Sequence, residues 1–179
     1  LEGDRIVVVS PDAGGVPRAE TFAKRLKSTL AVIIKRRPEP DVSEVTHIVG
    51  DVQGKVAVVV DDMISTGGTL VKAAEALRKR GATDVYTLAT HGIFAGDAIA
   101  QFERSEINRV IVTNTIPRTI ESPKIEHLTI AQILADAIKR ITSNRSVSEL
   151  FNGDEGERPP EEPPPAKASD LPSALAAAL

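Results

Sequence analysis

Short β-branched runs alternate with amphipathic stretches along residues 1–151, and that alternation restricts the chain to few architectures. A run rich in Val and Ile, bounded by turn residues and followed by a helical pattern, is the repeat unit of a parallel sheet with helical crossovers. Strands are predicted at Ile6–Ser10, Leu30–Lys35, His47–Val49, Val56–Asp61, Asp84–Thr90, Arg109–Thr113 and Ile125–Thr129. Helices are predicted over Val16–Lys27, Gly68–Arg80, Gly96–Arg104 and Ile130–Thr142. In the second helix, Leu70, Ala73, Ala74 and Leu77 recur at i, i+3, i+4 and i+7 and make one stripe to bury. Gly81 follows as a natural stop, after Arg78, Lys79 and Arg80 at the negative end of the dipole. The fold class is therefore α/β, a mostly parallel sheet flanked by helices.

From residue 152 the chain changes in kind. The last 28 residues hold six of the twelve prolines and six acids against Arg158 and Lys167. Such a segment cannot bury enough apolar surface to offset its ordering entropy, so 1–151 is read as one domain and 152–179 as a disordered, acidic, Pro-rich tail. The overall charge of −3 leaves about +1 on the first 151 residues, which gives no broad face for nucleic acid. Aromatics at 3% argue against base-stacking platforms as well. Without Cys, neither a disulfide framework nor a thiolate metal site is available, which agrees with a reducing, cytoplasmic setting. No apolar run reaches 18 residues and no signal peptide opens the chain, so no membrane partner is expected. The chain begins at Leu1 and its one Met is Met63, which reads as a fragment or a processed product.

Chemistry concentrates where predicted strands end. Val58-Val59-Val60 runs into Asp61 and Asp62, then Met63-Ile64-Ser65-Thr66-Gly67-Gly68-Thr69 leads into a helix. Unpaired N–H groups at a helix start accept phosphate, and glycines let the backbone approach an anion. Ser65, Thr66 and Thr69 add hydroxyls, while the two carboxylates suit ribose hydroxyls. A plain strand–turn–helix with an Asp or Thr cap has the same pattern. A second such turn, Ser10-Pro11-Asp12-Ala13-Gly14-Gly15, offers another anion site, with Asp12 able to hold Mg²⁺. Lys35-Arg36-Arg37-Pro38-Glu39-Pro40 follows a strand as a basic loop that its prolines keep from becoming helix; it suits charge neutralisation or is a solvated patch. His91, in Thr90-His91-Gly92-Ile93-Phe94, is read as a structural residue, and the three histidines make no metal cluster by spacing.

Taken in series, these motifs resemble the ribose-phosphate pyrophosphokinase (PRPP synthetase) family, from about Arg5 to Phe151. Val49-Gly50-Asp51-Val52, Val112-Thr113-Asn114-Thr115-Ile116-Pro117 and Ser146-Val147-Ser148-Glu149-Leu150-Phe151 extend the likeness. The resemblance implies the C-terminal half of such an enzyme, with a type I phosphoribosyltransferase-like fold. It implies Lys35 and Arg37 as catalytic, with Arg37 reaching the substrate phosphates, and Asp61, Asp62 and Ser65–Thr69 as the ribose 5-phosphate loop. Asp12, Ala13, Gly14 and Gly15 become the pyrophosphate loop, with Asp12 as a Mg²⁺ ligand. Ser146, Ser148 and Phe151 become part of an allosteric site for ADP or phosphate. ATP and ribose 5-phosphate are the implied substrates, and a homo-oligomer, hexameric in the parent enzyme, the implied assembly. Ser65 stands where many members carry Asp, and the family enzyme is about twice as long, its first half supplying much of the adenine surface and a metal-ligating His. A nucleobase phosphoribosyltransferase, or a non-catalytic regulatory homologue, is the alternative reading.

Overall fold

The computed structural model of the chain describes residues 3–39, 42–117 and 120–150, and only the backbone of 35–39, 42–46 and 149. The described residues fall into two compact units, 3–128 and 129–150. The first is built on a seven-stranded sheet of β1 (Ile6–Ser10), β2 (Thr29–Glu39), β3 (Val42–Val49), β4 (Val56–Ile64), β5 (Asp84–Gly92), β6 (Arg109–Thr113) and β7 (Ile125–Leu128). Their spatial order is β3-β2-β1-β4-β5-β6-β7, and every neighbouring pair is parallel except β2–β3. Every residue of β1 is buried, as a strand covered on both faces requires.

Helices α1 (Val16–Leu26), α2 (Gly68–Lys79) and α3 (Ala98–Arg104) form the crossovers. The predicted stripe of α2 is real: Leu70, Ala73, Ala74 and Leu77 are each no more than 2% exposed, within a core that includes Val7, Val9, Ala57 and Val59. Gly81 follows α2 with a φ of 95°, the left-handed conformation that ends a helix most easily in glycine. Burying such a stripe stabilises α2 more than propensity does, which is why the apolar spacing located the helix to within a residue.

All seven predicted strands are present, but four extend beyond their expected bounds. β4 continues from Asp61 to Ile64 because β5 also continues, with Met63 opposite His91 and Ile64 opposite Gly92. The larger difference is at Lys35–Pro40, expected to be a loop. The backbone of β2 stays extended to Glu39 and pairs antiparallel with β3, which itself starts at Val42 rather than His47. β1 ends at Ser10, opposite Val32, so beyond that point β2 has β3 alone as a neighbour and the two form an edge ribbon. Its register slips between Ile34 and Lys35 and again between Arg36 and Glu39. The second slip contains Pro38, and an irregular edge tolerates the N–H that proline lacks.

The second unit holds α4 (Ala131–Thr142) and a 3₁₀ turn at Ser148–Leu150. Arg140 Nη1 donates to the Ser146 carbonyl at 3.1 Å, and the Ser146 and Ser148 hydroxyls are 2.8 Å apart. Phe151 and the Pro-rich tail at 152–179 lie outside the described residues. Among the described residues no helix is long and apolar enough to cross a membrane.

Candidate functional site

β1 and β4 are parallel neighbours, yet the chain leaves them in opposite directions: α1 leads outward to β2, and α2 leads the other way to β5. Loops that part in this way open a crevice at the carboxyl ends of the two strands. Both glycine-containing turns singled out in the sequence flank it.

The turn after β1 is closed by its own side chains. Ser10, wholly buried, donates its hydroxyl to the Asp12 carbonyl at 2.7 Å. The Asp12 carboxylate accepts the Gly15 N–H on Oδ1 at 2.9 Å. A Cβ on Gly15 would lie 2.8 Å from Ser10 Oγ, so any other residue would have to displace that hydroxyl; one on Gly14 would meet Asp12 Oδ1 at 3.4 Å, an ordinary contact. Asp12, Ala13 and Gly14 are exposed, and no side chain caps α1. With Oδ1 engaged, Asp12 has Oδ2 to offer a cation. Mg²⁺ favours one or two carboxylates completed by water and phosphate oxygens, so one exposed Asp fits it. Among the described residues, His, Cys, Asp and Glu nowhere gather in threes as an all-protein cage.

The turn after β4 is built differently. Asp61 and Asp62 lie within the strand rather than at its end, Asp61 half-buried and Asp62 exposed. Burial pushes the Asp61 carboxyl above the usual aspartate range, with the Asp62 carboxyl pushing the same way, against the opposing Asp62 N–H and the charge of Arg18. Asp62 is held below that range, chiefly by its hydrogen bond with Asp61 and also by Arg18. Ser65, Thr66 and Thr69 are exposed beside the start of α2, where the N-cap is Gly67 and no side chain caps the helix. Leu70 and Val71 both donate to the Gly67 carbonyl at 3.0 Å, so the N–H groups of Gly68 and Thr69 come ahead of the helical ladder.

The two glycines of this turn are not equivalent. Gly67 has a φ of +76°, and a Cβ there would lie 2.6 Å from the Phe102 ring. A Cβ on Gly68 would meet nothing nearer than Gln101 Oε1 at 3.9 Å, so protein packing does not demand glycine there. Phe102 is fully buried and meets Phe94 edge-on, with ring centroids 6.0 Å apart and planes at 84°. The segment after β5 then clamps the turn from the side. Ile93 and Phe94 donate to the Ile64 carbonyl at 2.9 and 3.2 Å, and Ala95 donates to the Ser65 carbonyl at 3.0 Å. His91 is exposed, with Nδ1 2.8 Å from Thr115 Oγ1.

The structure thus brings Asp12–Gly15 and Asp61–Thr69 to neighbouring strand ends. Lys35 and Arg37 have backbone positions in the β2–β3 ribbon, and their side chains lie outside the described residues. Ser146 and Ser148 belong to the second unit. Reading the sequence missed Arg18, Phe94, Phe102 and the amides of Ile93–Ala95. Only Arg18 carried a signal: a cation in the first turn of a helix opposes the macrodipole, so something other than the helix must hold it there.

Fold and crevice together define the class: an α/β domain with two uncapped helix starts and three carboxylates at a topological switch point, suited to a polyhydroxylated anion. The chain belongs to the phosphoribosyl synthetase-associated domain family, whose model matches residues 37–152. It is 51% identical over 151 residues to a ribose-phosphate pyrophosphokinase of Caldanaerobacter subterraneus subsp. tengcongensis, covering 83% of this chain and 48% of that one. It is 46% identical over 154 residues to that of Fusobacterium nucleatum, covering 85% and 49%. Among solved structures it is similar to the phosphoribosylpyrophosphate synthetase of Mycobacterium smegmatis, with a TM-score of 0.70 and 40% identity over 79% of this chain and 46% of that chain. The fold is the α/β architecture, a mostly parallel sheet flanked by helices, that the sequence led us to expect. The chain spans about half the length of the curated relatives it matches.

Proposed function

We propose that this chain is the C-terminal half of a cytoplasmic ribose-phosphate pyrophosphokinase, the half that grips ribose 5-phosphate and the pyrophosphoryl group. The reaction is ATP + ribose 5-phosphate → 5-phosphoribosyl 1-pyrophosphate + AMP. The observation that carries this reading is the pairing of Asp61 and Asp62 with the uncapped start of α2, across one crevice from the Asp12–Gly15 turn. Carboxylates accept from the ribose hydroxyls while Ser65–Thr69 hold the 5-phosphate. The ribose 1-hydroxyl then faces the β-phosphorus of an ATP whose pyrophosphoryl group rests on Asp12–Gly15. The oxygen of that hydroxyl bonds to the β-phosphorus, AMP departs from it, and the hydroxyl proton is lost to solvent. Holding two anions in line supplies most of the acceleration, since phosphoryl-group chemistry asks little covalent work of a protein.

Asp12 would hold Mg²⁺, which neutralises charge on the transferring oxygens when bound. Lys35 and Arg37 are assigned to the transferring group by the likeness of their motif. ADP or phosphate as effectors at Ser146, Ser148 and Phe151, and assembly into a homo-oligomer, complete the proposal. Calorimetric titration of ribose 5-phosphate into the purified chain with Mg²⁺, beside Asp61→Asn, tests it. Saturable binding in the parent and at least tenfold weaker binding in the variant is the expected result. Equal affinity in both would remove the carboxylate pair from the site.

A further inference from the structure

Arg18 lies in the first turn of α1 and is half-buried. Its guanidinium meets both carboxylates of β4: Nη1 is 3.4 Å from Asp61 Oδ1, and Nη2 is 3.2 Å from Asp62 Oδ2. The same Nη1 lies near the turn after β1, where a Cβ on Gly15 would come within 3.6 Å of it. One cation therefore spans the crevice, rooted in the helix that starts at one anion turn and bonded to the carboxylates that precede the other.

Three features argue that this contact does more than neutralise charge. Adjacent strand residues send their side chains to opposite faces, yet the Asp61 and Asp62 carboxyls hydrogen-bond each other and both meet Arg18. The guanidinium of Arg18 donates to Asp61 Oδ1 at 3.4 Å and pairs by charge with Asp62 Oδ2 at 3.2 Å, so one rigid, forked cation meets both side chains. The contacts also engage specific oxygens. Asp61 Oδ1 takes Arg18 and the Asp62 N–H at 2.9 Å, and Asp62 Oδ2 takes Arg18. Each carboxylate offers several lone pairs, so half-buried Asp61 and exposed Asp62 keep acceptor capacity for the hydroxyls of a ligand.

We propose that Arg18 is a positioning residue for the sugar: from the first turn of α1 it holds the two carboxylates of β4 together so that they receive a vicinal diol. The inference rests on the sugar-phosphate reading given above and adds a residue to it. A lysine, as a point charge, cannot reproduce the fork.

The test is calorimetric titration of ribose 5-phosphate into the full 179-residue chain, comparing the parent, Arg18→Lys and Arg18→Ala, the last also with guanidinium chloride at tens of millimolar. Inorganic phosphate, followed by amide shifts in NMR, serves as the ligand without a diol. Expected are roughly tenfold weaker sugar binding in Arg18→Ala, with an intermediate loss in Arg18→Lys. Guanidinium should recover much of the loss, and phosphate binding should change little. Parent-like sugar affinity in Arg18→Ala overturns the role of Arg18 and leaves the sugar-phosphate reading standing. A loss that guanidinium does not restore, or one equal for sugar phosphate and phosphate, assigns Arg18 to packing or to general attraction of anions and also overturns it. A folded parent that binds no ribose 5-phosphate removes the sugar-phosphate reading and this inference with it.

Discussion

The turns after β1 and β4 flank one crevice and share a composition of acid, small residues and glycine, but they are held in opposite ways. The first is self-sufficient: Ser10 and Asp12 bond within six residues of chain, and Gly15 is confined by Ser10 alone. The second depends on partners from far along the chain. Amides at Ile93–Ala95 hold its carbonyls, the Phe102 ring lies under Gly67, and Arg18 holds its carboxylates. A locally closed turn keeps its shape wherever its strand ends. A turn braced from outside can be tuned by residues that never touch a ligand, and it is vulnerable through them.

The most severe way to break this contrast is Phe102→Ala. Removing a fully buried ring should cost about 3–5 kcal/mol in urea unfolding, with the Gly67 turn losing its floor. A cost below about 1 kcal/mol would show that the second turn does not rest on that ring. The next effect compares adjacent glycines. Gly67→Ala meets both a left-handed φ and the Phe102 ring, and should cost about 2–4 kcal/mol. Gly68→Ala meets no protein atom within 3.9 Å. It should stay within about 1 kcal/mol of the parent in stability while weakening ribose 5-phosphate binding. Equal destabilisation by both would erase the distinction.

The smallest effect sharpens the carboxylate pair and depends on pH. Because the Asp61 pKa is raised by burial, its contribution to stability is present below the ordinary aspartate pKa, about 3.9, and is lost as pH rises through the raised value. Asp61→Asn should therefore unfold at higher urea than the parent at pH 7, with the gain fading toward pH 3. Asp62, with its pKa lowered, is the reverse case: its contribution is present above the ordinary value and lost as pH falls below it. Asp62→Asn should lose a little stability at pH 7 and match the parent in acid. Urea midpoints for the two variants at both pH values decide this, and a destabilised Asp61→Asn at pH 7 would contradict the burial account. A site that gains binding at the expense of fold stability is a common trade.

Much of this molecule was legible before any coordinates. The number of strands and where they start along the chain followed largely from β-branched runs, α2 from the spacing of Leu70, Ala73, Ala74 and Leu77, and its end from Gly81. Those signals are local: burial of one helical stripe or one strand imprints a period on consecutive residues. The two anion turns were readable for the same reason, since glycine, a short acid and a following helix are all neighbours in sequence. Where the pattern failed, the deciding contact was distant. Lys35–Glu39 has the composition of a loop, yet β3 gives its backbone a partner. Asp61 reads as a strand end, yet β5 extends alongside it to Gly92. Gly67 and Gly68 read alike until Phe102 arrives beneath one of them.

The sequence by itself determined an α/β sheet with acidic, glycine-bearing turns at its strand ends, because periodicity and turn chemistry act between near neighbours. Only the tertiary structure decided that the turns after β1 and β4 share a crevice, that Arg18 of α1 meets the carboxylates of β4, and that residues 93–102 support the turn after β4. Hydrogen bonds and ring contacts between strands tens of residues apart obey no sequence period, so the chain records them only once it has folded.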